Sequence, residues 1–239
     1  MPFNAFRYQK TYDFADKPLY PAFNVDLLYL YPEGIVNKLV EDSVQDYIIG
    51  YYFGQNIVFN SSDSMLKFLS DNYYYSYAAH YKTNAFDYRS SLLKWSTQQS
   101  IQILFNDNFI LTFCIRQNSS TWHQEPVWDK IFFVINLKTG NKITTDAVFI
   151  SGYKEKLKKL ITEKLQKQFN ITTSLQSEGF YKSTVNKFDN LYLNREGVGF
   201  HYNPGDIAPW IFGEIDVFFR YDELKEILLN KGIVYTLVQ

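Results

Sequence analysis

Asp206, Glu214 and Asp216 follow His201 closely in the stretch Glu196 to Leu229, EGVGFHYNPGDIAPWIFGEIDVFFRYDELKEILL. Glu214 and Asp216 share one face of an expected strand, and Asp206 sits in the loop before it. Paired carboxylates held at a suitable separation hydrolyse glycosidic bonds. A carbohydrate-active hydrolase using these loop and strand carboxylates is therefore one functional class open to the chain. Two plainer roles compete with it. Strand neighbours two apart commonly form a solvated outer face, and Asp206 can anchor its loop by accepting backbone N–H groups.

Other catalytic chemistry lacks its parts. The three histidines, His80, His123 and His201, are far apart and share no ligand spacing, so a three-imidazole zinc site is not expected. His123-Gln124-Glu125 has the His-x-Glu of zinc deaminases, but that chemistry needs a Pro-Cys-x-x-Cys, and Cys114 is the single cysteine. Gly197-Val198-Gly199 is too short for a dinucleotide fingerprint, and no helix follows it. No nucleophile elbow or phosphate loop appears. The expectation is no metal, no cofactor and no enzyme. Cys114 also excludes an intramolecular disulfide, and its apolar surroundings predict a buried thiol.

Aromatic side chains are the other candidates. The chain holds 20 Tyr and 21 Phe, and aromatics make up 19% of its 239 residues. Most must be core, because no surface uses so many. Trp122, His123 and Trp128 fall in an expected polar loop over 117–129. Tyr202, Asp206 and Trp210 fall in or beside a second loop over 203–212. Indole and phenol rings on loops stack on sugars or anchor protein interfaces, so these six are the candidate binding residues. For Trp210, wedged behind Pro209, a place in the core fits better. A net charge of −1 offers no attraction to nucleic acid or to an anionic membrane. The lysines of the helix expected over 153–169 form a basic face, read as a solubilising one.

These residues need elements to hold them. Strands are expected over 6–14 and 23–31, and helical spacing runs from Ile35 to Ile49. Ser61-Ser62-Asp63 can cap a second helix carrying Leu66, Leu69, Tyr73 and Tyr77. From Ser100 the period becomes two: a strand to Phe105, a turn at Asn106-Asp107-Asn108, a partner strand from Phe109 to Arg116, and a third over 131–137. The clearest helix is 153–169, with Leu157, Leu160, Ile161 and Leu165 on one face. Strands over 188–193, 197–203 and 214–219 and a short helix capped by Asp222 close the chain. Pro204 and Pro209 stop any strand or helix from running through the loop between the last two strands. The fold class is α+β, a mainly antiparallel sheet packed with one long helix and a short C-terminal helix, preceded by a smaller helix-rich α+β region. The boundary falls between 1–95 and 96–239.

Four features in order carry a family resemblance: the strand and turn Phe132-Phe133-Val134-Ile135-Asn136-Leu137-Lys138-Thr139-Gly140, the Lys-rich helix, Tyr202-Asn203-Pro204, and Ile207-Ala208-Pro209-Trp210-Ile211-Phe212-Gly213-Glu214-Ile215. Together they resemble the DUF3298 domain, with its Y-x-P-Y-E-I-A-P-Y-x-x-G sequence before a strand and short helix. Residues 1–95 are similar to the DUF4163-type region that often precedes it. The chain departs in two loops. Gly205-Asp206 replaces the usual Tyr-Glu, and Ser120-Thr121-Trp122-His123 stands where relatives carry Gly-Gly-Ala-His, with only His123 matching. The family includes lysozyme-sensing anti-sigma factors of the RsiV type and domains beside polysaccharide deacetylases. The resemblance implies a non-enzymatic, extracytoplasmic binding or sensing module of a bacterial periplasm or cell surface. Its partner would be a lysozyme-like protein or a cell-wall glycan such as peptidoglycan. A membrane would be reached only through a lipid anchor or helix upstream, as in a lipoprotein.

Overall fold

The computed structural model describes residues 1–13, 22–32, 37–53, 61–83, 95–120, 127–181, 186–232 and 234–237. The fold is α+β, as expected. Among the described residues, eight strands form two sheets, the first five in chain order in one and the last three in the other. The chain divides into two compact units, and each is discontinuous: residues 1–102 with 115–129, and residues 103–114 with 130–239. Among the described residues, no helix is long and apolar enough to cross a membrane.

In the first unit, β1 (Phe3–Tyr12) and β2 (Phe23–Pro32) pair antiparallel over ten positions, from Phe3↔Pro32 to Tyr12↔Phe23. β2 then pairs in parallel with β3 (Trp95–Asp107). β1 is therefore an edge strand and β2 is interior. A parallel neighbour needs a long connection, and α1 (Lys38–Phe53) and α2 (Ser62–Thr83) lie in it. α1 buries Val40, Val44 and Ile48, and α2 buries Met65, Leu66, Leu69 and Tyr77. Ser61 Oγ accepts the Ser64 N–H and caps α2. Alternate β2 residues Phe23, Val25, Leu27 and Tyr29 meet these helices as core. Here the aromatic excess is used: Tyr12 stacks on Tyr74 at 4.4 Å, Phe23 on Tyr77 at 5.1 Å, and Tyr77 meets Trp95 edge-on at 4.7 Å.

β3 runs past the expected turn. The reversal into β4 (Ile110–Ser120) falls on Asn108 and Phe109, both left-handed at φ 50° and 60°. Two positive φ values in a two-residue hairpin loop mark a type I′ turn, which favours Asn-Gly. Phe109 is exposed and strained there. Phe109→Gly should raise stability by about 1 kcal/mol, read as a higher urea midpoint at constant slope. A lower midpoint would show that the Lys138 ammonium over the Phe109 ring, at 4.4 Å, outweighs the strain.

The second unit is built on α4 (Tyr153–Gln168), which follows the single turn α3 (Thr145–Val148). Leu157, Ile161 and Leu165 are fully buried on one face of α4. That face joins one hydrophobic core with β6 (Leu191–Leu193), β7 (Gly197–Tyr202) and β8 (Ile215–Arg220). Phe200 lies at its centre, in ring contact with Phe149, Phe188 and Phe219. β8 alternates buried and exposed, as its sequence predicts, but all six residues of β7 are buried. The second face of β7 is covered too: Phe132, on β5 (Val127–Asn136), sits 4.8 Å from the Tyr192 ring and 5.4 Å from the His201 ring. α5 (Tyr221–Leu224) ends the core, where Leu224 and Ile227 are buried and Leu228 is half-buried. Its N-cap is Arg220 and not Asp222, which lies inside the first turn.

Candidate binding corner

The loop between β7 and β8 is held from below. Asn203 N donates to Asp206 Oδ2 at 2.8 Å, and Asp206 N donates back to the Asn203 carbonyl at 2.9 Å. Lys187 reaches the other Asp206 oxygen at 3.1 Å. Gly205, at φ 88°, turns the chain where a side chain would be strained. Ile207 and Ala208 are buried, and the Ile207 carbonyl accepts Tyr181 N. Pro209 then opens a 3-10 turn over Trp210–Phe212, closed by Gly213 at φ 66°. Phe212 wedges this turn against Phe169 and Phe180, with ring centroids at 5.8 and 5.1 Å.

The tip of the turn points away from the core. Ile211 is 92% exposed and Trp210 42%. The expected core place for Trp210 is thus corrected. Phe212 takes the inward direction of the turn, and Trp210 is left leaning over Gly205, its Nε1 3.1 Å from where a Cβ would stand. Tyr202 is corrected in the opposite sense. It is 2% exposed, so its ring is core and presents nothing to a partner. Burial, then Asp189 and Asp206, push its hydroxyl above the ordinary tyrosine value, and the hydroxyl meets no hydrogen-bonding partner among the described residues. Asp206 is occupied in the loop anchor described above. Trp128 is exposed at 45%, but on β5 and not in a loop. The polar loop expected over 117–129 is shorter than that, because β4 extends to Ser120 and β5 begins at Val127. Trp122, His123 and the side chain of His80 lie outside the described residues.

The polar residues of the corner each have a structural partner. His201 is buried, with Nδ1 3.0 Å from Asp216 Oδ1 and Nε2 3.2 Å from Asn203 Oδ1. Asn203 Oδ1 also accepts Lys130 N at 2.8 Å. Glu214 faces Lys130 Nζ at 3.9 Å. Among the described residues no group of three or more His, Cys, Asp or Glu could hold a metal ion. Sequence reasoning missed three residues here. Asn190 and Asn203 clamp backbone 58 and 73 positions away, which no local pattern shows. Ile211 stands between two aromatics and looks like core.

The lysines of α4 are partly neutralised. Lys156 pairs with Glu226 and Lys159 with Glu163, and Lys164 reaches Glu223 at 2.7 Å. Burial works to raise the Glu223 pKa, but hydrogen bonds from Lys164 Nζ and Arg220 N outweigh it and hold the carboxyl below its ordinary value. Stability from a depressed carboxyl is present above its unfolded value and is lost as pH falls through the folded one. Melting temperature should therefore fall below about pH 4.3, and Glu223→Gln should make that fall shallower. An identical pH profile for the variant would remove this pair from the acid response.

No curated protein matches the sequence. Solved structures resemble the fold, two of the DUF3298 family among them. A member of the DUF3298 family from Bacteroides fragilis is 21% identical, with a TM-score of 0.84 over 99% of this chain and 96% of that one. A DUF3298 family protein from Pseudomonas aeruginosa PAO1 is 12% identical, with a TM-score of 0.61 over 96% and 95%. The family model described as "Protein of unknown function (DUF3298)" matches residues 146–222, from within α3 into α5, a stretch that holds the loop between β7 and β8.

Proposed function

We propose that the chain is a non-enzymatic binding module of the bacterial cell envelope, working outside the cytoplasm, and that the Trp210–Ile211 tip is its contact for a lysozyme-like protein. One observation carries this: a nearly fully exposed isoleucine beside a half-exposed tryptophan, on a turn fixed by Pro209, Gly213 and the partly buried Phe212. Exposed apolar side chains cost solubility, and a rigid aromatic anchor with an aliphatic neighbour is the composition of an interface centre. The rigidity matters, because a fixed tip loses little entropy on binding. The hydrolase alternative draws on Asp206, Glu214 and Asp216, and each of these already has a structural partner.

Calorimetric titration with lysozyme tests the proposal. Ile211→Asp and Trp210→Ala should each weaken binding by about thirtyfold or more, the scale of an interface hot spot, with melting temperature unchanged. No heat with lysozyme but heat with peptidoglycan fragments would move the site to a glycan. Hydrolysis of the fragments would overturn the non-enzymatic reading.

A further inference from the structure

The five-stranded sheet has two edges, and they are finished differently. The outer edge of β5 is closed by side chains: Asn190 takes Phe132 N and the Lys130 carbonyl, and Asn203 takes Lys130 N. β1, at the other edge, pairs among the described residues with β2 alone. Proteins blunt an exposed edge strand with a bulge, a proline, a free charge or a short length. The ladder of β1 with β2 skips no residue, and Phe3–Tyr12, 10 residues long, holds no proline. Its two cations are engaged within the strand pair. Arg7 forks the Asp26 carboxylate at 3.0 and 2.7 Å, and the Lys10 ammonium lies 4.1 Å from the centre of the Tyr12 ring.

The core also runs out at this strand. Leu27 and Tyr29 of β2 are fully buried, yet the residues opposite them, Tyr8 and Phe6, are only half-buried. Opposite residues of an antiparallel pair share a face, so these two aromatics lie on the side where the helices cover β2. One more strand beside β1 would extend that apolar layer and satisfy the open backbone groups together.

We propose that β1 is a dimerisation edge, pairing antiparallel with β1 of a second copy of this chain about a two-fold axis at Tyr8. Parity and charge select the axis. Because facing residues share a side of the sheet, the axis passes through a residue and not between two. An axis at Arg7 or Lys10 sets like charges directly against each other, which is unfavourable. Of the other positions, Tyr8 gives the longest overlap, from Asn4 to Tyr12. Arg7, already answered by Asp26, then faces the partner's Gln9. Phe6 faces the stem of the partner's Lys10, and the two Tyr8 rings meet at the axis. The contact belongs to the first unit and uses no residue of the Trp210–Ile211 tip.

A contact one strand long is small, so the dimer should be weak and concentration-dependent. Sedimentation of the full chain, in a series up to about 1 mM, should show a monomer–dimer equilibrium. Gln9→Arg, at an exposed position, sets an arginine against Arg7 on both sides of the axis. It should weaken the dimer by about tenfold, two like-charge pairs at a fewfold each, with melting temperature unchanged. Oxidised Tyr8→Cys should form a disulfide-linked dimer, because facing Cα atoms lie about 4.5–5.5 Å apart. Lys10→Cys, on the same face, should not, because its copy stands about 13 Å along the strand. Cys114 is buried and takes no part. A monomer throughout the series, a dimer indifferent to Gln9→Arg, or linkage through Lys10→Cys but not Tyr8→Cys would each overturn the assignment.

Discussion

Gly197→Ala should destabilise the second unit by about 3 kcal/mol, the upper end of overpacking costs. A methyl there would stand 1.9 Å from the Phe219 carbonyl oxygen and 3.0 Å from Arg220 Cα. Both are backbone, so no rotamer change makes room. β7 and β8 would have to part at Gly197↔Arg220, the last pair of their ladder. The damage would spread, because Arg220 caps α5 and Tyr221 N donates to the Glu196 carbonyl. A chain of this size should lose about 6–12 °C in melting temperature. Gly199→Ala is the comparison. Its methyl would meet the Tyr192 ring at 2.0 Å, a side chain that can tilt although it packs between Phe132 and Phe218. Gly197→Ala should be the worse of the two. A melt equal to the parent's would show that the strands separate there without cost.

Asn190→Ala should cost about 2–6 kcal/mol, from two backbone groups each left unpaired at about 1–3 kcal/mol. Asn190 Oδ1 accepts Phe132 N and its Nδ2 donates to the Lys130 carbonyl, both at 2.8 Å. One planar amide thus closes two consecutive outward positions of β5. Asn190→Asp should rescue little, because a carboxylate keeps the acceptor for Phe132 and sets a second acceptor against the Lys130 carbonyl. Urea unfolding gives the energies, and hydrogen exchange of the Phe132 amide gives the location. Full stability in Asn190→Asp would mean that the Lys130 contact contributes nothing.

These two residues show where the sequence is and is not legible. Alternation in Ile215, Val217 and Phe219 and the α4 stripe of Leu157, Ile161 and Leu165 are local signals, and both elements stand where the pattern puts them. The two glycines of Gly197-Val198-Gly199 could be ruled out as a nucleotide motif, but their use became visible only once Phe219 and Tyr192 were placed against them. Burial of His201 depends on a second layer from β5, which strand periodicity cannot announce. Prolines fixed the position of the corner, yet whether Trp210 or Phe212 turns inward depends on Phe169 and Phe180, far away in sequence. The interior place of β2 was hidden for a related reason: its parallel partner returns only after residues 33–94.

The interleaving of the two units bears on how the protein can be dissected. No single cut separates 1–102 with 115–129 from 103–114 with 130–239. An expression fragment starting at residue 96 would keep the whole DUF3298 match and discard β2, whose backbone pairs with Trp95 to Ser100. That fragment would carry a raw strand edge in place of an interior one, a template for sticking to its own copies. Shortening the chain to study the corner would thus trade a solubility problem for a simpler molecule, whereas substitutions in the intact chain leave the edge sealed.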